Sequence, residues 1–491
     1  DYQIAGAMAR AKPAVPAAEE PLAAAEEPDE PRHGDEPGDE GGVTPHEAAG
    51  QAAPAGTGEA RRNKALALAG VCLAAVLLAV LSYRAVSPPV VDPTELAVGS
   101  VQPRAEPTDD SVVASHHLLP SVFIEAEADD AAGERVATAL RRGLAGFDTI
   151  SLITRPDGGE RTDDQRRMDF VFLLEEGPAP GEVHVELHYR PNGRVLLSHN
   201  IATAAREQAA IDDDIANLLT SVAPVSGVIY ASLAEDGIET PLTRCLMLND
   251  EFYRDQTSRK HRLAYECFEA LIDTGLRSSL VHSELSSLHV QALTNSYDYP
   301  EDISAQNALR LAQRAVKLGP NSPYAHRAMG YVMSRTVDSA ESIRWTRKAY
   351  ELNTFDLDMA AANGYALVFA GDYEQGTPVL RRAVTTASSH AMWWDYGLFL
   401  GQFMLGDTQA AAQSVSALAS SRRAHYVAAR LIVADALGRT KEAAALLAEL
   451  QAGHSVFAAD PKAFYERGNY PADMIDKLVG ALRGAGLVGA S

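Results

Sequence analysis

We predict an α+β chain in which a disordered tail and one transmembrane helix precede a small α/β domain and an all-α helical solenoid. Three observations predict this order. An uncharged run of 17 residues spans Ala65 to Leu81, short β-prone runs begin after residue 118, and small residues recur every 34 positions near the carboxy terminus. With 491 residues, the chain is too long for one compact core, so several domains are expected.

The first 60 residues (1–60) have the composition of a disordered acidic tail. They hold 13 acidic side chains against three basic ones, and no aromatic residue lies between positions 11 and 60. Such a segment buries too little apolar surface to offset the chain entropy lost on ordering. The whole chain carries a net charge of −23 without a basic stripe, which argues against nucleic-acid binding by these residues.

A single transmembrane helix is predicted over residues 61–84. About 20 helical residues cross a hydrocarbon core of about 30 Å, and the uncharged run is just long enough. Arg61, Arg62 and Lys64 precede the run and only Arg84 follows it closely, so the positive-inside rule places the amino terminus in the cytoplasm. The long preceding tail disfavours a signal peptide, and the tail and linker together disfavour a buried core helix. We therefore expect a single-pass protein of the bacterial inner membrane with periplasmic carboxy-terminal domains.

A proline-rich linker at 85–118 leads into an α/β domain at 119–235. Strand-like runs and two amphipathic helical patterns follow in the order β-α-β-β-β-β-α, which suits a small sheet with two helices on one face. Asn192-Gly193 marks the tight turn of a hairpin. The inward helix faces are predicted to carry Val136, Leu140, Leu144, Ile211, Ile215, Leu218 and Leu219.

This domain resembles the TolB amino-terminal-type domain that precedes tetratricopeptide repeats in bacterial membrane proteins. The stretches that carry the resemblance are "MDFVFLLEEG", "LHYRPNGRVLLSHNI" and "IDDDIANLL", and the family's opening l-P-F is replaced here by "VFIEAEA". The resemblance implies protein interaction rather than catalysis.

His184, Glu186 and His188 alternate along one predicted strand and therefore share one of its faces. A His-x-Glu-x-His pattern can bind a metal ion, but one strand supplies no fourth ligand, so we interpret the three as a solvated outer face. His282 and His289 share a helix face without an accompanying acid. We predict no metal and no cofactor.

Residues 236–491 carry the strongest pattern of the chain. The alanines spaced 34 residues apart are Ala315, Ala349, Ala383 and Ala417, and the glycines with the same spacing are Gly330 and Gly364. Such a period is the signature of tetratricopeptide repeats, in which paired helices approach closely where a small residue fills the crossing. We predict about six helix pairs between Ile238 and Leu487, with atypical capping pairs at both ends.

The first helix of each pair is expected to line the concave side of the superhelix. By register, the predicted partner-binding groove is lined by Tyr324, Arg327, Tyr331, Asp358, Tyr365, Trp394 and Asp395. Aromatic and charged side chains together suit an extended peptide or a helix of a protein partner. The alternative is that the aromatic rings fill contacts between repeats.

The cysteines and the absence of catalytic motifs exclude several classes of site and enzyme. The three cysteines exclude a disulfide scaffold and a four-thiolate zinc site. Cys245 and Cys267 fall on the two helices of the first predicted pair and could join in an oxidising compartment, although two free buried thiols are the preferred interpretation. The sequence contains no P-loop, dinucleotide loop, G-x-S-x-G or H-E-x-x-H motif, so no catalytic residue and no enzyme are predicted.

We therefore expect a membrane-anchored interaction scaffold or sensor whose exported domains bind a protein or peptide. The whole layout also resembles CadC-like and cyclase-associated membrane proteins, in which a cytoplasmic winged-helix or nucleotide cyclase domain precedes the same series. That resemblance implies the periplasmic sensing half of a signalling protein, with an output domain upstream of Asp1. A start codon at Met8 would remove this alternative.

Overall fold

The structure is a computed structural model that describes residues 115–127, 130–154, 161–336 and 339–487. The predicted tail, the predicted transmembrane helix and most of the predicted linker lie outside the described residues. None of the helices in the described ranges combines the length and the apolar character that a membrane crossing needs.

The predicted α/β domain contains a five-stranded mixed sheet. Its strands are β1 (Ser121–Ala126), β2 (Ser151–Leu152), β3 (Asp169–Glu176), β4 (Glu182–Tyr189) and β5 (Arg194–Ala202). They are ordered β2-β1-β3-β4-β5, with β1 parallel to both neighbours and β3 to β5 forming an antiparallel meander. The predicted hairpin is confirmed, with Gly193 at φ 69° in its turn. The second strand of the predicted order is short, because only the two residues of β2 pair with β1.

Two long helices cover the sheet. The helices of this part are α1 (Ala131–Leu144), α2 (Asp163–Arg166), α3 (Gln208–Val222) and α4 (Val228–Glu235). Both α1 and α3 contact strands of the sheet and each other. Every residue predicted to face inward from them is at most 4% exposed, so the predicted helix faces are confirmed.

The remaining described residues form an all-α solenoid. Its paired helices are α5 (Pro241–Arg254), α6 (Ser258–Asp273), α7 (Ser279–Asn295), α8 (Ala305–Leu318), α9 (Pro323–Thr336), α10 (Ser339–Leu352), α11 (Leu357–Phe369), α12 (Tyr373–Thr386), α13 (Met392–Leu405), α14 (Thr408–Ala417), α15 (Ala424–Ala436) and α16 (Thr440–Gly453). They are followed by α17 (Ser455–Ala459), α18 (Pro461–Arg467) and α19 (Ala472–Gly484). From α7 to α15, each first helix also contacts the first helix of the next pair, so the first helices form one continuous inner face. This is the predicted tetratricopeptide-like architecture.

The 34-residue period has a direct structural cause. Ala315, Ala349 and Ala383 each occupy the eleventh position of a second helix and are fully buried. The prediction for Ala417 is wrong, because α14 begins one residue later than the period requires. The residue that corresponds in position is the C-cap Leu418, which is fully buried, whereas Ala417 is exposed.

Glycine permits the closest crossing inside a pair. A Cβ atom placed on Gly364 of α11 would lie 2.8 Å from the Leu380 Cγ and 2.9 Å from the Leu380 backbone nitrogen of α12. Backbone cannot move aside as a flexible side chain can, so the 34-residue spacing of Gly330 and Gly364 reflects a steric requirement.

A disulfide joins the first helix pair. Cys245 of α5 and Cys267 of α6 are bonded, with Cα atoms 5.4 Å apart. The interpretation as two free thiols is therefore wrong. Both side chains face the α5–α6 contact, where antiparallel packing places them within disulfide distance.

The α/β domain is packed against the ends of the repeat helices. Asn353, after α10, donates a hydrogen bond of 3.1 Å to the carbonyl of Gly143 in α1. The buried ring of Phe355 lies under Arg142, whose guanidinium carbon is 4.7 Å from the ring centroid. Residues from both parts belong to one hydrophobic cluster. The predicted boundary at 235/236 falls in the turn between α4 and α5, but the core is continuous across it.

We expect Gly364→Ala to lower the free energy of unfolding by about 1–3 kcal/mol, because the added methyl overpacks a helix crossing. Urea denaturation would measure the change. Gly480→Ala in α19 is the matched control: no atom lies within 4 Å of the added Cβ, so the helix should gain about 0.5–1 kcal/mol. Equal effects at both positions would contradict a steric cause.

Candidate functional site

The predicted groove residues all lie on the inner face formed by α9, α11 and α13. Tyr324, Arg327 and Tyr331 lie on α9, Asp358 and Tyr365 on α11, and Trp394 and Asp395 on α13. Residues three and four apart share one face of a helix, which is why the sequence register selected these positions. Whether they bind a partner stays a prediction.

A charged chain crosses this face from α7 to α13. Arg327 donates to the Asp358 carboxylate at 2.6 Å and lies 3.5 Å from Glu284 of α7. The indole N–H of Trp394 donates to the other Asp358 oxygen at 3.2 Å. Glu284 also accepts a hydrogen bond of 2.7 Å from Asn249 of α5. Five helices, α5, α7, α9, α11 and α13, are thereby connected, with Arg327 in the middle of the chain.

The exposed fractions divide the predicted residues. The side chains of Arg327 and Asp358 are 26% and 27% exposed. Tyr324, Trp394 and Asp395 are buried, and Asp395 contacts His390 at 2.9 Å. The rings of Tyr324 and Trp394 therefore fill contacts between helices, as the alternative interpretation expected, whereas Arg327 and Asp358 remain partly exposed to solvent.

Tyr331 and Tyr365 belong to a cage of aromatic rings around Arg335. The Arg335 guanidinium carbon lies 4.2 Å from the Phe369 ring centroid and 5.7 Å from that of Tyr365. Tyr365 stacks on Phe369 with ring centroids 4.7 Å apart. The fourth ring, Tyr470, follows α18 and lies 4.7 Å from Phe369. Cation–π contacts of this kind stabilise a guanidinium removed from water.

Arg423 immediately precedes α15 and connects this helix to α5. Arg423 donates a hydrogen bond of 2.9 Å to the carbonyl of Tyr253 in α5. Its guanidinium carbon lies 5.4 Å from the centroid of the Tyr426 ring. Sequence reasoning missed Arg335 and Arg423. Arg335 follows Tyr331 by one helical turn, so the same register could have found it, whereas Arg423 precedes its helix and carried no signal.

Two acids with raised pKa values lie where the α/β domain meets the repeats. Burial raises the pKa of Asp356 to about 7, with Asp358 adding to the shift and Arg327 opposing it. Burial likewise raises the pKa of Asp148 to about 6, against a lowering hydrogen bond from Ser322. The Oδ2 atom of Asp356 has no hydrogen-bond partner among the described residues. Both groups therefore favour the protonated form more than ordinary carboxyls do.

The histidine pattern of β4 forms a hydrogen-bonded row. His184 contacts Asn200 of β5 at 2.6 Å and Glu186 at 3.2 Å, and His188 contacts Glu186 at 2.8 Å. The hydrogen bond to Asn200, followed by the one to Glu186, raises the pKa of His184. In the part of the chain that the structure describes, no group of three or more His, Cys, Asp or Glu side chains is arranged to hold a metal ion.

A surface pocket of about 560 Å³ lies on the opposite side of the α9–α10 pair. His326 and Trp345 form its wall, and Arg344, Arg347 and Lys348 contribute cations. Arg344 and Lys348 already contact Glu341 and Glu351 of their own helix. Two of the three cations that line the pocket are therefore already paired with acids of α10.

No protein-family model and no curated protein matches the chain. Solved structures that it resembles include PilW, a type IV pilus biogenesis factor, at 18% identity and a TM-score of 0.32, over 42% of this chain and 90% of that one. A tetratricopeptide repeat protein from Parabacteroides merdae matches at 13% identity and 0.32, over 52% and 90%. Yeast Tom70 matches at 13% identity and 0.32, over 56% and 58%. These likenesses are too weak to support a conclusion, so the repeat architecture rests on the helix pairs described above.

We expect protein stability to fall as pH rises from about 4 to about 7 at the two buried acids. Their ordinary pKa is 3.8, so over this range the native state holds protons that the unfolded chain has released. Each acid then lowers the free energy of unfolding by about 1.4 kcal/mol per pH unit between its pKa in the unfolded chain and its raised pKa in the native state. The Asp148→Asn/Asp356→Asn variant should gain stability over wild type as pH rises from 4.5 to 8, measured by urea denaturation.

Asp476→Asn provides the control for this experiment, because Asp476 is exposed on α19. A variant-to-wild-type difference that stays constant with pH would show that the two buried acids ionise normally.

Proposed function

We propose that this chain is a bacterial inner-membrane protein, anchored through residues 61–84, whose exported α/β and repeat domains form an interaction or sensing module. The inner face of the solenoid carries the proposal. Arg327 and Asp358 project there from neighbouring helices, remain about a quarter exposed and are surrounded by aromatic rings. Partly exposed arginine beside aromatic side chains is the composition of binding hot spots.

The disulfide supports an exported location. Disulfides persist in the periplasm and outside cells, whereas cytoplasmic thiols are kept reduced. The Cys245–Cys267 bond therefore agrees with the orientation expected from Arg61, Arg62 and Lys64.

A sensing role is the second candidate. The α/β domain, which we propose to be TolB-like, shares a continuous core with the repeats and is hydrogen-bonded to them through Asn353. A ligand that changes the packing of the repeats would therefore also affect the α/β domain. Such coupling suits the sensing half of a signalling protein, and the residues encoded upstream of Asp1 would show whether an output domain precedes it.

A photo-crosslinking amino acid in place of Tyr331 should capture a discrete protein or peptide partner in cells. The same group in place of Val456, which is 80% exposed on α17, should not. Arg327→Gln should reduce the adduct from Tyr331 several-fold, because it removes the charge that pairs with Asp358. Identical adducts from both positions would contradict a partner site on the inner face.

The redox state of the cysteines in cells tests the location. In the full chain, a maleimide reagent added to denatured protein should label only Cys72 before reduction and all three cysteines after it. Deleting residues 61–84 should leave Cys245 and Cys267 reduced, because the repeats would remain in the cytoplasm. Free Cys245 and Cys267 in the full chain would contradict export.

A further inference from the structure

One end of the inner face offers hydrogen-bond donors without matching acceptors. We name this group the donor cluster, and its members are Tyr331, Arg335, Tyr365, Arg423 and Tyr426. It lies on α9, α11 and α15, next to the turn between α18 and α19.

The two arginines of the donor cluster are not paired with acids. Arg335 donates to the carbonyl of Gly468 and, at 3.4 Å, to the hydroxyl of Tyr365. Arg423 donates to the carbonyl of Tyr253 and, at 3.5 Å, to the hydroxyl of Tyr426. Within the described ranges, neither guanidinium forms an ion pair with a carboxylate. Charged groups removed from water are ordinarily paired, so two such arginines on one face are an unbalanced charge.

The three tyrosine hydroxyls have protons that no described residue accepts. An arginine can only donate, so Tyr365 and Tyr426 must be the acceptors of the bonds from Arg335 and Arg423. Tyr331 likewise accepts from the amide nitrogen of Gln291 at 2.8 Å. No hydrogen bond donated by these hydroxyls is found among the residues that the structure describes. The hydroxyls of the half-buried Tyr331 and Tyr365 are therefore available to an incoming acceptor, whereas the side chain of Tyr426 is buried.

Both arginines affect the charge states of Tyr331 and His425. Burial raises the pKa of Tyr331, and both Arg335 and Arg423 oppose that shift. Burial lowers the pKa of His425 to about 3, and Arg423 and Arg335 lower it further. Both cations therefore add a positive potential at these two groups, and at His425 this potential acts in the same direction as burial.

The surroundings limit the size of a ligand. The turn at Gly468 covers the cluster from one edge, since Asn469 donates to the carbonyl of Ser334 at 2.8 Å while Gly468 accepts from Arg335. The hydrogen bond from Arg423 to the carbonyl of Tyr253 connects the start of α15 to α5. The rings of Phe369 and Tyr470 add an apolar wall. A small molecule fits this arrangement better than a polypeptide chain that must pass through it.

We propose that the donor cluster binds a small organic carboxylate, with the carboxylate between Arg335 and Arg423 and its apolar body against the neighbouring rings. The tyrosine hydroxyls and the guanidinium groups would donate to the two carboxylate oxygens. The carboxylate would supply the negative charge that the donor cluster lacks. Charge-assisted hydrogen bonds to carboxylates are among the strongest that side chains form. This site is distinct from the partner contact proposed at Arg327 and Asp358.

Binding of sodium benzoate to the full chain tests the proposal, measured by calorimetry and by tryptophan fluorescence at constant ionic strength. Benzamide has the same ring without the charge and should not bind saturably. Arg335→Gln and Arg423→Gln should each raise the Kd for benzoate by about ten-fold or more, since each removes one charge-assisted bond. Tyr365→Phe keeps the ring and removes one hydroxyl, so it should raise the Kd several-fold. Arg344→Gln on α10, whose side chain is 71% exposed, should leave the Kd unchanged.

Three outcomes would overturn the site. They are equal binding of benzamide and benzoate, no saturable binding of benzoate at millimolar concentration, or a Kd that Arg423→Gln and Tyr365→Phe leave unchanged. Tighter binding of a hexaglutamate peptide than of benzoate would assign the cluster to an acidic polypeptide instead and would overturn the small-molecule proposal. Tyr331 belongs to the donor cluster, so benzoate binding is measured on the chain with its native Tyr331. Arg327→Gln should weaken the crosslink and leave the Kd for benzoate unchanged, so the failure of the partner site and the failure of benzoate binding are distinguishable.

Discussion

The close crossing of paired helices at small residues is the constraint on which the repeat half of this protein depends. Ala315, Ala349 and Ala383 are fully buried at one position of successive second helices, and Gly364 leaves no room for a Cβ atom. Helices that touch through such small residues cannot bury their long side chains in the same contact. The long side chains of the first helices are therefore directed to the inner face, where each first helix meets the next. The polar network and the aromatic cage both follow from that distribution.

This constraint also explains how much the sequence could predict. Small residues at a fixed period are visible in one dimension, so the helix pairs and the inner position of residues such as Arg327 followed from spacing alone. The same logic failed at Ala417, because a single extra residue before α14 moves Leu418 into the buried position. A period detects a repeat but does not detect the residue at which one repeat departs from it.

The partners of the inner-face residues could not be predicted in this way. Arg423 and Tyr253 are 170 residues apart in the chain, and Gly468 meets Arg335 across 133 residues. Such contacts depend on the curvature that accumulates over several helix pairs and on the return of the chain after α18. A local sequence pattern does not specify this curvature, because it is the sum of small rotations between successive helix pairs. The disulfide is an intermediate case, since Cys245 and Cys267 were placed on paired helices correctly while their bond depends on the distance between those helices.

The distribution of charge gives the inner face two distinct ends. At one end, Glu284 and Asp358 surround Arg327, so negative charge exceeds positive charge and burial raises the pKa of Glu284. At the other, Arg335 and Arg423 have only carbonyl and phenol oxygens as acceptors. The chain as a whole carries a net charge of −23, so surplus acids are plentiful, yet none of those in the described ranges pairs with these two cations. Two arginines without paired acids are tolerated here because aromatic rings and carbonyl groups partly replace water around them. The same environment strengthens the attraction between the arginines and any anion small enough to enter.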